Sequence, residues 1–311
     1  MSNSSSICHF LLLALADTRH LQLLLFCLLL AISLAALLGN GLIISAVACS
    51  KHLHNPMFFF MLNLALADLG SICTTVPKAM HNSLWDTRDI SYTGCAAQLF
   101  LCFAQNYFYF ALGCTEFILL VVMSFDRYVA ICKPLLYAAI MKPQLCVHLA
   151  VAAWVLGFGL LSYRLLFLSE LSFCGSKIPH FFCDNSPLFK LSCSDTSLLW
   201  KIDSVFMSCV VLGSLCLTLA FYICILCCVL HLPAASGRKK ALTTCSSHLI
   251  TLSIAYGSCL ALYTRPAGAV SLSTNRTVAL LNTVLYPLLN PLIYSLRNKS
   301  VILALSKSIA R

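Results

Sequence analysis

The sequence predicts an all-α membrane protein: a bundle of seven transmembrane helices, N-terminus outside and C-terminus cytoplasmic. Three observations carry that expectation. First, the chain has 311 residues, 60% hydrophobic and only 10% charged, whereas an average soluble domain is about 45–50% apolar and about 25% charged. Second, the apolar residues fall into seven runs of about 20 residues or more, the length a helix needs to cross lipid. Third, Lys and Arg collect on one side of those runs. Helices are expected rather than barrel strands, because in lipid each backbone group must find its partner within its own segment.

A tail of residues 1–22 comes first, and "NSS" at Asn3 is a glycosylation sequon that suits an outer location. The first span, 23–49, ends at "KHLHNP". "AVAC" at its end resembles a cleavage site, but the apolar run before it is too long for a signal peptide. The second span, 57–80, is followed by "WDTRDISYTG", and the third, 96–128, by "KPLLYAAIMKP". The fourth, 144–168, leads into the long polar stretch "CGSKIPHFFCDNSPLFKLSCSDT". "PAASGRKK" follows the fifth, 199–230, and "YTRPAGAVSLSTNRT" the sixth, 238–263. The seventh, 274–296, leaves a cytoplasmic tail of 297–311.

With the N-terminus outside, the inner loops and tail hold Lys51, Arg127, Lys133, Lys142, Arg238, Lys239, Lys240, Arg297, Lys299, Lys307 and Arg311, with Asp126 as their acid. The outer segments mix basic residues with Asp17, Asp86, Asp89, Glu170, Asp184, Asp195 and Asp203. The net charge of +10 therefore marks the cytoplasmic face. It is spread over short loops, which argues against nucleic-acid binding. Most of the 19 cysteines lie in spans as small apolar residues. Cys95, Cys174, Cys183 and Cys193 lie on the outer, oxidising side. The sequence alone leaves three pairings among them open, with a zinc site near His180 a weaker alternative.

Ionisable groups inside a span are costly and mark function. At a rise of 1.5 Å per residue, Glu116 lies about 15 Å above Asp126, Asp68 about 16 Å above Met57, Asn40 about 16 Å above Lys51 and Asn290 about 10 Å above Arg297. Four spans thus bring polar groups to one middle layer. Two carboxylates there repel unless one is protonated or a cation lies between them. The favoured reading is a hard cation, sodium, held by Asp68 and Glu116 with Ser71, Thr115 and Asn290 nearby. The alternative is a neutral hydrogen-bonded pair that joins helices.

An Asp-Arg pair at a span's inner end, Asp126 and Arg127, reads on its own as a snorkelling arginine. The seventh span adds "NPLIY", in which Pro291 removes a backbone donor and kinks the helix. Asn290, beside it, is expected to mend the broken bond. A kinked helix facing an inner arginine suggests a bundle with two states, which a signalling device requires.

Taken in order, "LGNGLII" (38–44), "HLHNPMFFFMLNLALAD" (52–68), "ISYTGCAAQ" (90–98), "MSFDRYVAICKPLLY" (123–137), "HFFCD" (180–184), "RKKALTTCSSHL" (238–249) and "YPLLNPLIYSLRNK" (286–299) resemble a rhodopsin-like G-protein-coupled receptor, and more narrowly an olfactory receptor. The Asp68 and Glu116 pair resembles the class II, tetrapod-type branch. The resemblance covers essentially the whole chain.

It implies disulfides Cys95–Cys183 and Cys174–Cys193, and a short amphipathic helix after the seventh span. It implies that Arg127 pairs with Asp126 at rest, beside Tyr128, and swings on activation to a stimulatory, olfactory-type G protein. Tyr222 and Tyr294 would then move inward, and the segment carrying Lys240, Cys245 and His248 outward. Signalling would run through adenylyl cyclase and cyclic AMP, from the plasma membrane of sensory cilia, with an escort protein aiding surface delivery. Three departures stand out: Ser124-Phe125 before the Asp-Arg pair, Ala255 where an aromatic is usual, and Arg164 near the outer end of the fourth span, expected to snorkel outward.

The resemblance places the ligand between the outer halves of four spans, as a bundle core allows. The candidates are Asn106, Tyr109, Phe110, Gly113 and Cys114, on one helical face; Phe206, Met207 and Val210; Tyr256, Cys259 and Tyr263; and Leu280 and Thr283. Such a lining suits a small neutral, mostly apolar molecule. An amine receptor would want an acid in 102–114, and none is there. A transporter would show repeated halves, and no catalytic triad or metalloprotease spacing falls in a span. No cofactor is expected beyond the candidate sodium.

Overall fold

The computed structural model describes residues 11–12, 18–50, 53–85, 95–171, 174, 177–178, 189, 191–231, 235–263, 281–297 and 302. The chain runs α1 (Arg19–Cys49), α2 (Pro56–Trp85), α3 (Cys95–Cys132), a 3-10 turn at Pro134–Leu136, α4 (Tyr137–Ile140), α5 (Pro143–Gly159), α6 (Ser162–Glu170), α7 (Ser197–Leu230), α8 (Ala235–Tyr263) and α9 (Tyr286–Arg297). A π-helical turn, Leu281–Leu285, leads into α9. Two short strands, β1 (Leu11–Leu12) and β2 (Lys177–Ile178), pair in parallel and tie the N-terminal tail to the loop after α6.

Among the described residues five helical stretches are long and apolar enough to cross a membrane: Arg19–Cys49, Pro56–His81, Cys102–Cys132, Pro143–Phe167 and Ser197–Leu230. The helices α8 and α9 pack on them and complete a bundle of seven. Expected residues 274–280 of the last span, and all of the tail helix but Ile302, fall outside the described residues.

The pattern of burial shows what surrounds the bundle. On α1, Leu29, Ser33, Ala36, Asn40 and Ile43 are buried at helical spacing, while Leu24, Leu28, Leu34 and Leu38 are exposed. The helix α7 likewise exposes Leu212, Leu219, Ile223, Leu226 and Leu230. Leucines outward and polar residues inward is the arrangement of a helix solvated by lipid.

The hub is α3, which packs against α2, α5, α6, α7 and α8. Its contact with α5 is close because Gly157 has no side chain. A Cβ there would meet the Thr115 hydroxyl at 2.0 Å and the Ala111 carbonyl at 2.9 Å. Trp154 of α5 also donates to Asn63 Oδ1 of α2 at 3.0 Å. The fourth span is one continuous helix in the sequence reading but breaks at Leu160–Leu161. Gly157 and Gly159 weaken the helix there. The Ser162 hydroxyl bonds the Gly159 carbonyl at 2.7 Å, satisfying an acceptor at the break.

Candidate functional site

At the inner end of α3, Asp126 is completely buried. Arg127 Nε donates to Asp126 Oδ2 at 3.0 Å, and a guanidinium nitrogen pairs with the same oxygen. The Tyr137 hydroxyl, from α4, donates to Asp126 Oδ1 at 2.7 Å. The acid is thus held from its own helix and from the inner loop. The pKa of the Tyr137 hydroxyl is pushed up by burial, then by the charge of Asp126, so it stays a donor. Nearby, the Tyr222 hydroxyl of α7 and Nδ1 of the buried His248 of α8 lie 2.7 Å apart. Tyr128 and Cys245 pack beside them, and Tyr294 of α9 is buried in the main core. The side chain of Lys240 lies outside the described residues.

One layer up, Pro291 alters the expected bookkeeping of donors. Proline has no N–H, so the carbonyl four residues earlier, at Pro287, has no helical donor. The sequence reading gave that acceptor to Asn290. The structure gives it to α1: Asn40 Nδ2 donates to the Pro287 carbonyl at 2.9 Å and to its own Ala36 carbonyl at 3.0 Å. Gly39 makes this possible, since a Cβ there would lie 3.0 Å from the Pro291 ring. Asn290 is free to turn to α2, where its amide donates to Asp68 Oδ2 at 3.0 Å and Oδ1 at 3.2 Å. Glu116 lies within electrostatic range of Asp68. Thr115, expected beside them, instead faces α5 and bonds its own Ala111 carbonyl at 2.9 Å. Adjacent residues on a helix point about 100° apart, so Thr115 and Glu116 face different directions.

A cavity of about 110 Å³ borders this layer. Of the candidates, Tyr109, Phe110, Gly113, Met207 and Cys259 line it. Ser71, Glu116, Phe117, Leu120, Ala255, Ser258, Tyr286 and Pro287 complete the wall. The others stand elsewhere. Cys114, Phe206 and Val210 pack with Ala111 and Leu161 in a cluster that also includes the wall residues Phe110 and Met207, without lining the cavity themselves. Tyr256 lies against Phe117, ring centroids 5.2 Å apart. Asn106 and Thr283 are buried but not in the wall. Leu280 and the side chain of Tyr263 are outside the described residues.

Two departures take on meaning here. Ala255 is buried and borders the cavity, so the missing aromatic leaves open volume rather than being replaced by packing. Arg164 does not snorkel outward. It is 3% exposed, pairs with Asp203 of α7, and lies over the Phe110 ring at 4.0 Å. A carboxylate partner and an aromatic face together make burial of a guanidinium tolerable.

On the outer side Cys174 and Cys193 are disulfide-bonded, their Cα atoms 5.1 Å apart. Cys183, Asn3 and the side chain of Cys95 lie outside the described residues. Cys102, in the first turns of α3, is also disulfide-bonded, a role the sequence reading did not give it.

A lipid-solvated helical bundle with a small cavity over a buried polar layer, and a charge latch at the far end, has the parts of a ligand-operated membrane receptor. Comparison with known proteins gives the family. Residues 26–311 match the olfactory receptor family model. Olfactory receptor 6E1 of Mus musculus is 44% identical over 289 residues, covering 92% of this chain and 90% of that one. Olfactory receptor 6A2 of Homo sapiens is 41% identical over 292 residues, 92% and 87% of the two chains. Olfactory receptor 6N1 of Homo sapiens is 39% identical over 310 residues, 99% and 97%. The chain belongs to the olfactory receptor family: multi-pass membrane receptors, not enzymes.

Proposed function

We propose that this odorant receptor binds a small, mostly apolar odorant in the cavity between α3, α7 and α8, and activates a stimulatory, olfactory-type G protein to raise cyclic AMP. The observation that carries this reading is the cavity itself, walled by Tyr109, Phe110, Gly113, Met207 and Cys259. It lies on the same helix, α3, as the Asp126–Arg127 latch. A ligand that favours one arrangement of α3 against α7 and α8 biases the latch, because a ligand shifts an equilibrium only by its differential affinity for the two states. In the active arrangement Arg127 leaves Asp126 for the G protein, Tyr222 and Tyr294 close in, and the segment with Lys240 and His248 moves outward. Tyr128 keeps Arg127 at the interface, and Pro291 supplies the bend in α9.

A sodium ion at the middle layer fits the donors present. Asp68 and Glu116 are carboxylates, and the buried Oδ1 atoms of Asn40 and Asn290 accept no hydrogen bond among the described residues. Oxygen acceptors alone suit a hard cation. The receptor works in the plasma membrane of sensory cilia, with an escort protein assisting its delivery there.

The test is a cyclic AMP reporter assay in cells expressing the olfactory G protein, screened with a broad odorant panel. Arg127→Ala at matched surface level is the control. A dose-dependent rise that the variant loses is expected. A rise that survives in Arg127→Ala would remove the latch from the mechanism.

A further inference from the structure

We infer that the buried ion pair Arg164–Asp203 determines specificity for the odorant: it fixes the Phe110 ring, and so sets how long a molecule the cavity admits. This rests on the odorant-receptor reading and deepens it.

Arg164 stands on α6, just past the break at Leu160–Leu161. It is 3% exposed, while Leu165 and Leu166 beside it face outward. Its guanidinium pairs with Asp203 of α7 and lies over the Phe110 ring of α3, 4.0 Å from the centroid. Its Nε and Nη1 find no hydrogen-bond acceptor among the described residues. An arginine keeps its charge whatever surrounds it. Within the bundle this one is held by the acid through charge and by the ring through its face. Three helices therefore meet at one cation.

Both contacts lead to the cavity wall. Phe110 is a wall residue, and Asp203 lies one helical turn before Met207, another wall residue, on the same side of α7. Along α3, Phe110 lies about 15 Å outward of Leu120, so these two mark the outer and inner ends of the wall that α3 provides. Gly113, one turn inward of Phe110, leaves room, since a Cβ there would meet nothing within 4 Å. A free phenylalanine ring would change rotamer before a ligand that presses on it. Phe110 has one face covered by the guanidinium, and turning it would break that stack and leave the cation with Asp203 alone. The ring stays, and the odorant must end short of it. Arg164 and Asp203 do not line the cavity themselves; they are positioning residues that act through Phe110.

The experiment measures cyclic AMP responses to straight-chain alcohols and aldehydes from butyl to decyl, and to the homologues of any further panel odorant that activates. The receptors are the wild type, Arg164→Met with Asp203→Leu, Phe110→Leu, and all three substitutions together. Apolar side chains of similar size commonly replace a buried ion pair without loss of the fold. In the wild type the half-maximal concentration should fall with chain length to a limit and rise beyond it. Removing the pair should move that limit to longer chains and leave shorter ones unchanged. Each methylene admitted past the wild-type limit should lower the half-maximal concentration about fourfold. Phe110→Leu should do the same, and the triple variant should go no further, the non-additivity of residues that act through one ring. An unchanged limit overturns the inference. So does a shift by one factor at every length, since the pair would then only hold helices together, or an additive shift in the triple variant. Should the paired substitution fail to reach the surface, Arg164→Lys decides. It keeps a cation for Asp203 and loses the planar face that lies on the ring, so the limit should again move, and an unmoved limit overturns the inference. Silence of the surface-expressed wild type toward both series and a broad panel overturns the odorant-receptor reading itself, an outcome distinct from a graded response whose limit ignores Arg164.

Discussion

The two acids of α3 lie ten residues apart on one helix and live under opposite conditions. Asp126 receives Arg127 on one oxygen and Tyr137 on the other. Glu116 receives no hydrogen bond among the described residues and borders a cavity. The inner acid is used up within the protein, and its effect is to hold α3, α4 and Arg127 in one arrangement. The outer acid keeps its hydrogen-bonding capacity free among the described residues and borders open volume.

Paired substitutions give this contrast its largest expected effect. Asp126→Ala removes a carboxylate that takes charged and neutral hydrogen bonds, and leaves Arg127 without its partner. Thermal unfolding of the purified receptor in detergent should show a loss of about 2–4 kcal/mol, the cost of breaking a buried charged network. Basal cyclic AMP should rise as Arg127 is released. Glu116→Leu, measured without sodium, breaks no hydrogen bond and fills part of the cavity, so stability should hold or rise. Equal destabilisation by the two substitutions would mean Glu116 is bonded in the resting protein, and the contrast between the acids would collapse.

A smaller effect is expected at Asn40, which belongs to neither acid yet fixes the layer between them. Asn40→Ala leaves the Pro287 carbonyl buried without a donor, at a cost of about 1–3 kcal/mol. Asn290→Ala should act differently, by leaving Asp68 without its donor while the α9 backbone keeps its bond to Asn40. Amide hydrogen exchange separates them: Asn40→Ala should speed exchange around Pro287 and Tyr286, Asn290→Ala should not. The same acceleration in both variants would return the mending role to Asn290.

These residues also show what the sequence made legible. Spans were readable because lipid demands long apolar runs, and α1, α2, α3 and α7 follow the expected runs with ends a few residues longer. Depth was readable too, because a fixed rise places Asn40, Asp68, Glu116 and Asn290 in one layer whatever their neighbours do. Direction around the helix was not. Whether Thr115 or Glu116 meets the cavity, and whether Asn40 or Asn290 meets the proline carbonyl, depends on how far each helix is rotated against the next. Contacts such as Gly157 on Thr115 and Gly39 on Pro291 set that rotation. The burial of Arg164 was hidden for the same reason: it depends on partners on other segments, Asp203 and Phe110.

The smallest effect sharpens the inner half of the comparison. Tyr137→Phe removes one of the bonds to Asp126 and leaves the bonds from Arg127, so the loss should be about 0.5–1.5 kcal/mol. Basal cyclic AMP should rise less than in Asp126→Ala. The pH dependence has a definite sign. Burial raises the pKa of the Tyr137 hydroxyl above its ordinary value, so the protonated donor is complete below about pH 10. Its contribution is lost only as pH rises through the higher value. The Tyr137 contribution, taken as the difference between wild type and Tyr137→Phe in detergent, should therefore stay flat from about pH 6 to about pH 9. A difference that fades within that window would mean Tyr137 ionises there and is not the buried donor its bond to Asp126 requires. A rise in basal signal as large as that of Asp126→Ala would make Tyr137, rather than Arg127, the main restraint on the inner acid.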